Sequence, residues 1–159
     1  MPSMLERPNR LLGVCAALMI AAAAGCDDDP TEVEEEPEVA TIRVTVGTFI
    51  TDVSHPSPCD GTNTPVPLIV NQANQVSFRF LGLDGQDEPI IVDERANLEL
   101  QMENLAASWT FAATGGSGAT FTANITPTAT GSFIPRLELF NTEHDHEEVQ
   151  CVIRFTVAQ

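Results

Sequence analysis

The chain contains no lysine and no tyrosine, a single tryptophan, and seven basic residues, all arginine, against 23 carboxylates. Without lysine there is no Schiff-base nucleophile and no Walker-A phosphate grip. With so few bases and a net charge of −16, clustered phosphate contacts are excluded, and nucleic acid is not an expected partner. Metalloprotease, thioredoxin-type, nucleophile-elbow and phosphate-loop motifs are absent, and nothing pairs a nucleophile with a base. We therefore expect no enzyme and no obligatory cofactor. At 159 residues the chain has room for one ordinary domain. The apolar run at 11–24 would form a helix of about 21 Å, short of the roughly 30 Å hydrocarbon core, so a permanent membrane span is not expected there.

What is present begins with an address. Arg7 and Arg10 precede that apolar run, and small residues close it. A basic head, a short apolar core and a small-residue cleavage site read as a secretory signal peptide over residues 1–25; the competing reading is an uncleaved N-terminal anchor. The run ends Ala23-Ala24-Gly25-Cys26, which resembles the lipobox of bacterial lipoproteins, with Ala23 where that family usually carries Leu. The resemblance implies that Cys26 is lipidated and becomes the first mature residue. The protein would then be exported and anchored in the bacterial cell envelope, with the membrane itself as a partner. Several acyl chains on one cysteine hold firmly, at about 0.8 kcal/mol per buried methylene. Asp27 resembles an inner-membrane retention signal in some bacteria and not in others, so inner and outer membrane both stay open.

Residues 26–38 then read as a disordered acidic tether. After Cys26 the stretch DDDPTEVEEEPE has eight carboxylates, no base and two prolines. It cannot bury enough apolar surface to offset its ordering entropy, and like charges extend it. Twelve residues span at most about 40 Å. The alternative is a loose divalent-cation sponge.

Residues 39–159 hold 14 carboxylates and five arginines and read as one β-domain. Ile42, Val44 and Val46 alternate with polar residues, as do Val76, Phe78 and Phe80; Leu98, Leu100 and Met102; Phe121, Ala123 and Ile125; and Ile153, Phe155 and Val157. Period two is the signature of half-buried strands. Shorter strands are expected at 68–70, 110–112 and 133–140, with a turn at Asp84-Gly85 and a helical turn within 89–97. The expected fold class is all-β, an antiparallel sandwich of about seven or eight strands. The segments ATIRVTV, FRFLGLDG, the mid-domain Trp109, TPTATGSFIPRLEL and the closing CVIRFTVAQ resemble bacterial immunoglobulin-like (Big-type) domains. That resemblance implies an immunoglobulin-like sandwich and a role in display, binding or adhesion toward a protein or envelope-polymer ligand, not a reaction.

Of four cysteines, Cys15 lies in the signal peptide and Cys26 takes lipid. Cys59 and Cys151 remain, and in an oxidising compartment the simplest pairing is a disulfide; two free thiols, or thiol metal ligands, are the alternatives. A bridge would pin the Pro-rich stretch 51–67 to the last hairpin and draw the three histidines to one end. His144, Asp145 and His146 lie in the acidic stretch EHDHEE, expected to be a hairpin loop. Joined by His55 they would form a three-histidine set suited to zinc or copper. The competing reading is a charged loop that resists edge pairing. Asp84, Asp87 and Glu88 read as turn formers, with calcium as the minor alternative. GGSG at 115–118 reads as a flexible hairpin loop, and Trp109 as core.

Overall fold

A computed structural model describes residues 36–56, 59–106 and 108–159. The expected signal peptide, Cys26 and all but the last three residues of the tether lie outside the described residues. Glu36 and Glu38 are exposed, and Val39 is the first residue buried in the core.

The described residues form eleven strands in three sheets. β1 (Thr41–Val46), β2 (Phe49–Ser54), β4 (Asn74–Leu81), β6 (Trp109–Ser117) and β7 (Thr120–Pro127) make a five-stranded antiparallel sheet, ordered β2-β1-β4-β7-β6. β5 (Leu98–Glu103), β9 (Arg136–Asn141) and β10 (His146–Val152) make a second, ordered β10-β9-β5. β3 (Val66–Ile69), β8 (Gly131–Phe133) and β11 (Phe155–Ala158) make a third, ordered β3-β11-β8. The last two sheets continue one another, because β8 runs into β9 and β10 into β11 after two-residue breaks at Ile134-Pro135 and Ile153-Arg154. A helical turn, α1 (Pro89–Asp93), and a 3-10 turn at Arg95–Asn97 lead into β5.

The alternation places one apolar face of β1, β4, β5, β7 and β9 inward. Phe78 sits in register between Val44 and Phe121, and Phe80 opposite Ile42. Leu139 lies between Leu100 and Val149, and Leu137 between Met102 and Cys151. Phe155 lies between Val66 and Phe133. These side chains form one hydrophobic cluster, so the sheets close on a shared core. Trp109 belongs to it, packed tilted against Phe133 and edge-on to Phe155 at ring distances of 4.7 and 5.7 Å.

The described residues form eleven strands where about seven or eight were expected; the expected 133–140 strand is broken between β8 and β9, and His146–Glu148 belong to β10 and not to a loop. β2 occupies part of the expected Pro-rich stretch; Gly47, at φ 56°, starts the two-residue turn that folds β2 back on β1. Gly115, Gly116 and Ser117 are strand, paired with Thr122, Phe121 and Thr120, and the turn itself is Gly118-Ala119. β3 pairs with β11 in parallel, whereas every other ladder between strands is antiparallel. The chain between those two strands is long enough to wind through the rest of the domain before returning, as a parallel pair requires.

Candidate functional site

Cys59 and Cys151 form a disulfide, with Cα atoms 5.0 Å apart. Cys59 lies between β2 and β3, and its carbonyl accepts the Val152 amide at 3.2 Å. The bridge therefore fixes residues 59–60 beside the C-terminal end of β10. The histidine-bearing turn is at the other end of that strand, five residues and about 16 Å away.

That turn is ordered by one side chain. Asn141 is fully buried at the end of β9. Its Oδ1 accepts the amides of Glu143 and His144 at 3.0 and 3.3 Å. Its Nδ2 donates to Glu94 Oε2 at 2.9 Å and to Glu148 Oε1 at 2.8 Å. Asp145 takes the left-handed conformation, φ 59°, and its amide donates to the Asn141 carbonyl. Thr142 donates through both its amide and its hydroxyl to the Asn97 carbonyl. The turn is thus laced to the 3-10 turn ahead of β5.

The three-histidine expectation is not met. His146 Nε2 lies 3.1 Å from Glu148 Oε1, in the β9–β10 layer, and the rings of His144 and His146 stand 5.9 Å apart. His55 belongs to the other layer, where its amide and Nδ1 meet the Ala40 and Val39 carbonyls, each at 3.0 Å. The His55 and His146 rings are held by different layers, and Asp145 is a turn residue. Among the described residues no three His, Cys, Asp or Glu side chains converge on a metal-holding arrangement. The acid turn at Asp84 behaves as a turn former: Asp84 Oδ1 accepts the Gln86 amide, and Asp87 pairs with Arg79 at 2.6 Å.

A different feature has the geometry of a binding site. Where the two layers end at β5 and β6 a cleft of about 390 Å³ opens, lined by Arg95, Glu99 and Thr122 together with Leu98, Leu100, Ala113, Gly115 and Phe121. Arg95 comes from the 3-10 turn. Its guanidinium lies 3.8 Å above the Phe121 ring, and Nη1 donates to the Gly118 carbonyl at 2.9 Å. Burial pushes its pKa below the ordinary arginine value. The other cations of the sheets meet carboxylates: Arg43 meets Asp52 at 2.8 Å, and Arg136 meets Glu138 at 2.7 Å and also Glu103. Sequence reasoning missed the cleft, because it depends on which strands end the facing sheets. The only local signal was an arginine placed just before an apolar strand.

Burial of Glu138 on the middle strand β9 raises its pKa, against the pull of Arg136. No protein family, no curated protein and no solved structure matches the chain. Among the described residues no helix is long and apolar enough to cross a membrane.

Proposed function

We propose that this is a lipid-anchored envelope protein that displays an immunoglobulin-like domain for binding or adhesion, without enzymatic activity. The observation that carries the reading is the apolar run closed by small residues at Cys26. The strand order supports the domain assignment. Setting β2 aside as an added edge hairpin, β1, β4, β7 and β6 follow the A-B-E-D order of an immunoglobulin sheet. β10/β11, β8/β9 and β5 follow G-F-C, with β3 joining the last strand in parallel. Two hallmarks of antibody domains are replaced. The disulfide runs from the β2–β3 loop to β10, and Trp109 opens β6 and packs on two phenylalanines. A fold of this kind presents sites at edges and loops, and function follows from what is grafted there.

The test is metabolic labelling with a radioactive fatty acid in a bacterial host. The wild-type chain should incorporate label and migrate as a processed form, and Cys26→Ala should stay unlabelled and unprocessed. An unlabelled wild-type chain would overturn the anchor.

A further inference from the structure

We propose that the free edge of β6 is a strand-addition site for an extended peptide segment of another protein that carries a single carboxylate and docks over the cleft beside Arg95. The proposal deepens the display reading by naming what the domain binds. It rests on that reading only in treating the domain as a binder, since the edge is the same with or without the lipid.

A strand at the end of a sheet exposes unpaired amides and carbonyls, and folded proteins blunt such edges with charge, proline, shortness or a bulge. The described sheets have six edge strands, and five carry charge, proline or only three residues. β2 carries Asp52, β5 carries Glu99 and Glu103, β10 carries Glu147 and Glu148, β3 carries Pro67, and β8 has only three residues. β6 reads WTFAATGGS, nine residues without charge or proline. Among the described residues it pairs only with β7, and from Ala112 to Ser117 it is exposed. It is interrupted by a bulge between Ala113 and Gly115, and Gly115 and Gly116 take φ of 120° and 126°, so regular pairing is confined to the stretches on either side.

The cleft defines the partner. Behind β6, the side chains of Leu98, Leu100 and Phe121 offer an apolar floor. Ala113 and Gly115 leave it open, where larger side chains would fill it. The guanidinium of Arg95 runs along β6: a Cβ on Gly116 would stand 2.9 Å from Nη2. This arginine forms no ion pair among the described residues, and its ring contact and single carbonyl bond leave guanidinium donors over. A carboxylate satisfies a partly buried guanidinium better than any neutral group. The partner is therefore an extended segment whose backbone bonds to β6, with one apolar side chain in the cleft and a carboxylate at Arg95. A second copy of this chain is disfavoured by the repulsion of two molecules at net charge −16 each.

The experiment pans a phage-displayed library of random nonapeptides on the full chain in detergent, then measures the most enriched peptide as a synthetic probe. Enriched sequences should alternate β-branched residues and share an acidic position. The probe should bind Arg95→Gln about tenfold more weakly than wild type, with partial rescue by Arg95→Lys, and its Glu→Gln or Asp→Asn counterpart should not distinguish these proteins. Ala113→Lys, which fills the cleft from an exposed position, should abolish binding while Trp109 fluorescence stays native. Amide exchange should slow in β6 and not in β2 or β5. Enrichment equal on the Ala113→Lys chain, binding indifferent to Arg95, or protection on another edge would each overturn the proposal. So would a concentration-dependent dimer lost in Ala113→Lys, which would assign the edge to self-pairing. Failure of acyl labelling leaves all these readouts intact, so the two readings fail separately.

Discussion

Replacing Cys59 and Cys151 together by alanine should unfold most of what stabilises this domain. The bridge spans a sequence separation of 92, so it closes a loop of about 93 residues. The chain-entropy relation gives roughly 16 cal/mol/K for such a loop, about 4.6 kcal/mol at 25 °C. Domains of this size have about 5–15 kcal/mol in all. With about 2.1 cal/mol/K of unfolding entropy per residue, some 120 ordered residues correspond to a melting shift of about 18 °C. The loss should not be uniform. Cys59 and Asp60 hold the chain against Val152 shortly before β3, whose strand partner among the described residues is β11. Amides of β3 should lose protection from exchange first, while β4 and β7 keep theirs until global unfolding. The assay is urea unfolding of the oxidised and alanine proteins side by side. The urea midpoint should fall, and the slope should rise because the uncrosslinked denatured chain exposes more surface. A midpoint loss worth under about 1 kcal/mol with unchanged slope would refute the reasoning, and would mean that the denatured chain is compact with or without the bridge.

The remaining expectations concern single side chains. Asn141→Ala strips two amide acceptor bonds and leaves Glu94 and Glu148 facing one another, so it should cost about 3 kcal/mol by chemical denaturation. Gly116→Ala, where φ is 126° and a Cβ would meet the Thr120 carbonyl at 2.0 Å, should lower the melting temperature far more than Gly115→Ala. The latter has φ 120° and open space, and should cost only about 1–2 kcal/mol of backbone strain. Glu138 has a raised pKa, so the folded state favours its protonated form; its ionisation therefore erodes stability as pH climbs from the ordinary glutamate range through the raised value. Glu138→Gln should accordingly stabilise the domain at pH 7 and be neutral at pH 3, read as melting temperature against pH. Asp52 runs the other way: Arg43 holds its pKa down, so its contribution is present above the ordinary aspartate range and fades as pH falls through the lowered value, and Asp52→Asn should matter only above that window.

The long strands were legible because their inward faces are written locally. Val76, Phe78 and Phe80 announce β4 without help from any other part of the chain. β2 was hidden because an edge strand buries little: only Val53 of its six residues is fully inside, so no apolar alternation marks it. Gly115 and Gly116 looked like loop for a related reason. On an uncovered edge strand there is no neighbour to demand side chains, so the composition of a loop suffices. The disulfide was legible by elimination, since the reading of the N-terminus as a lipoprotein signal left Cys59 and Cys151 as the remaining pair. The three histidines are not gathered as expected because spacing along the chain says which histidines are near in sequence, not what each ring nitrogen already bonds. His55 is held by a carbonyl and His146 by Glu148, and neither contact has a local signature. The cleft at Arg95 was invisible for the converse reason: it is defined by which strands end the two layers, a property of topology alone.

The bridge from Cys59 to Cys151 also decides how the domain answers tension. A pull between the chain before β1 and the end of β11 cannot reach residues 60–150, because the covalent link carries the force past them. Only the segments outside the loop can be drawn out, about 30 residues or roughly 100 Å, where an unbridged domain would pay out roughly 400 Å. The core strands β4, β5, β7 and β9 all lie inside the shunt. So does β6, and a partner strand added to its edge would stay seated while the ends of the domain were stretched.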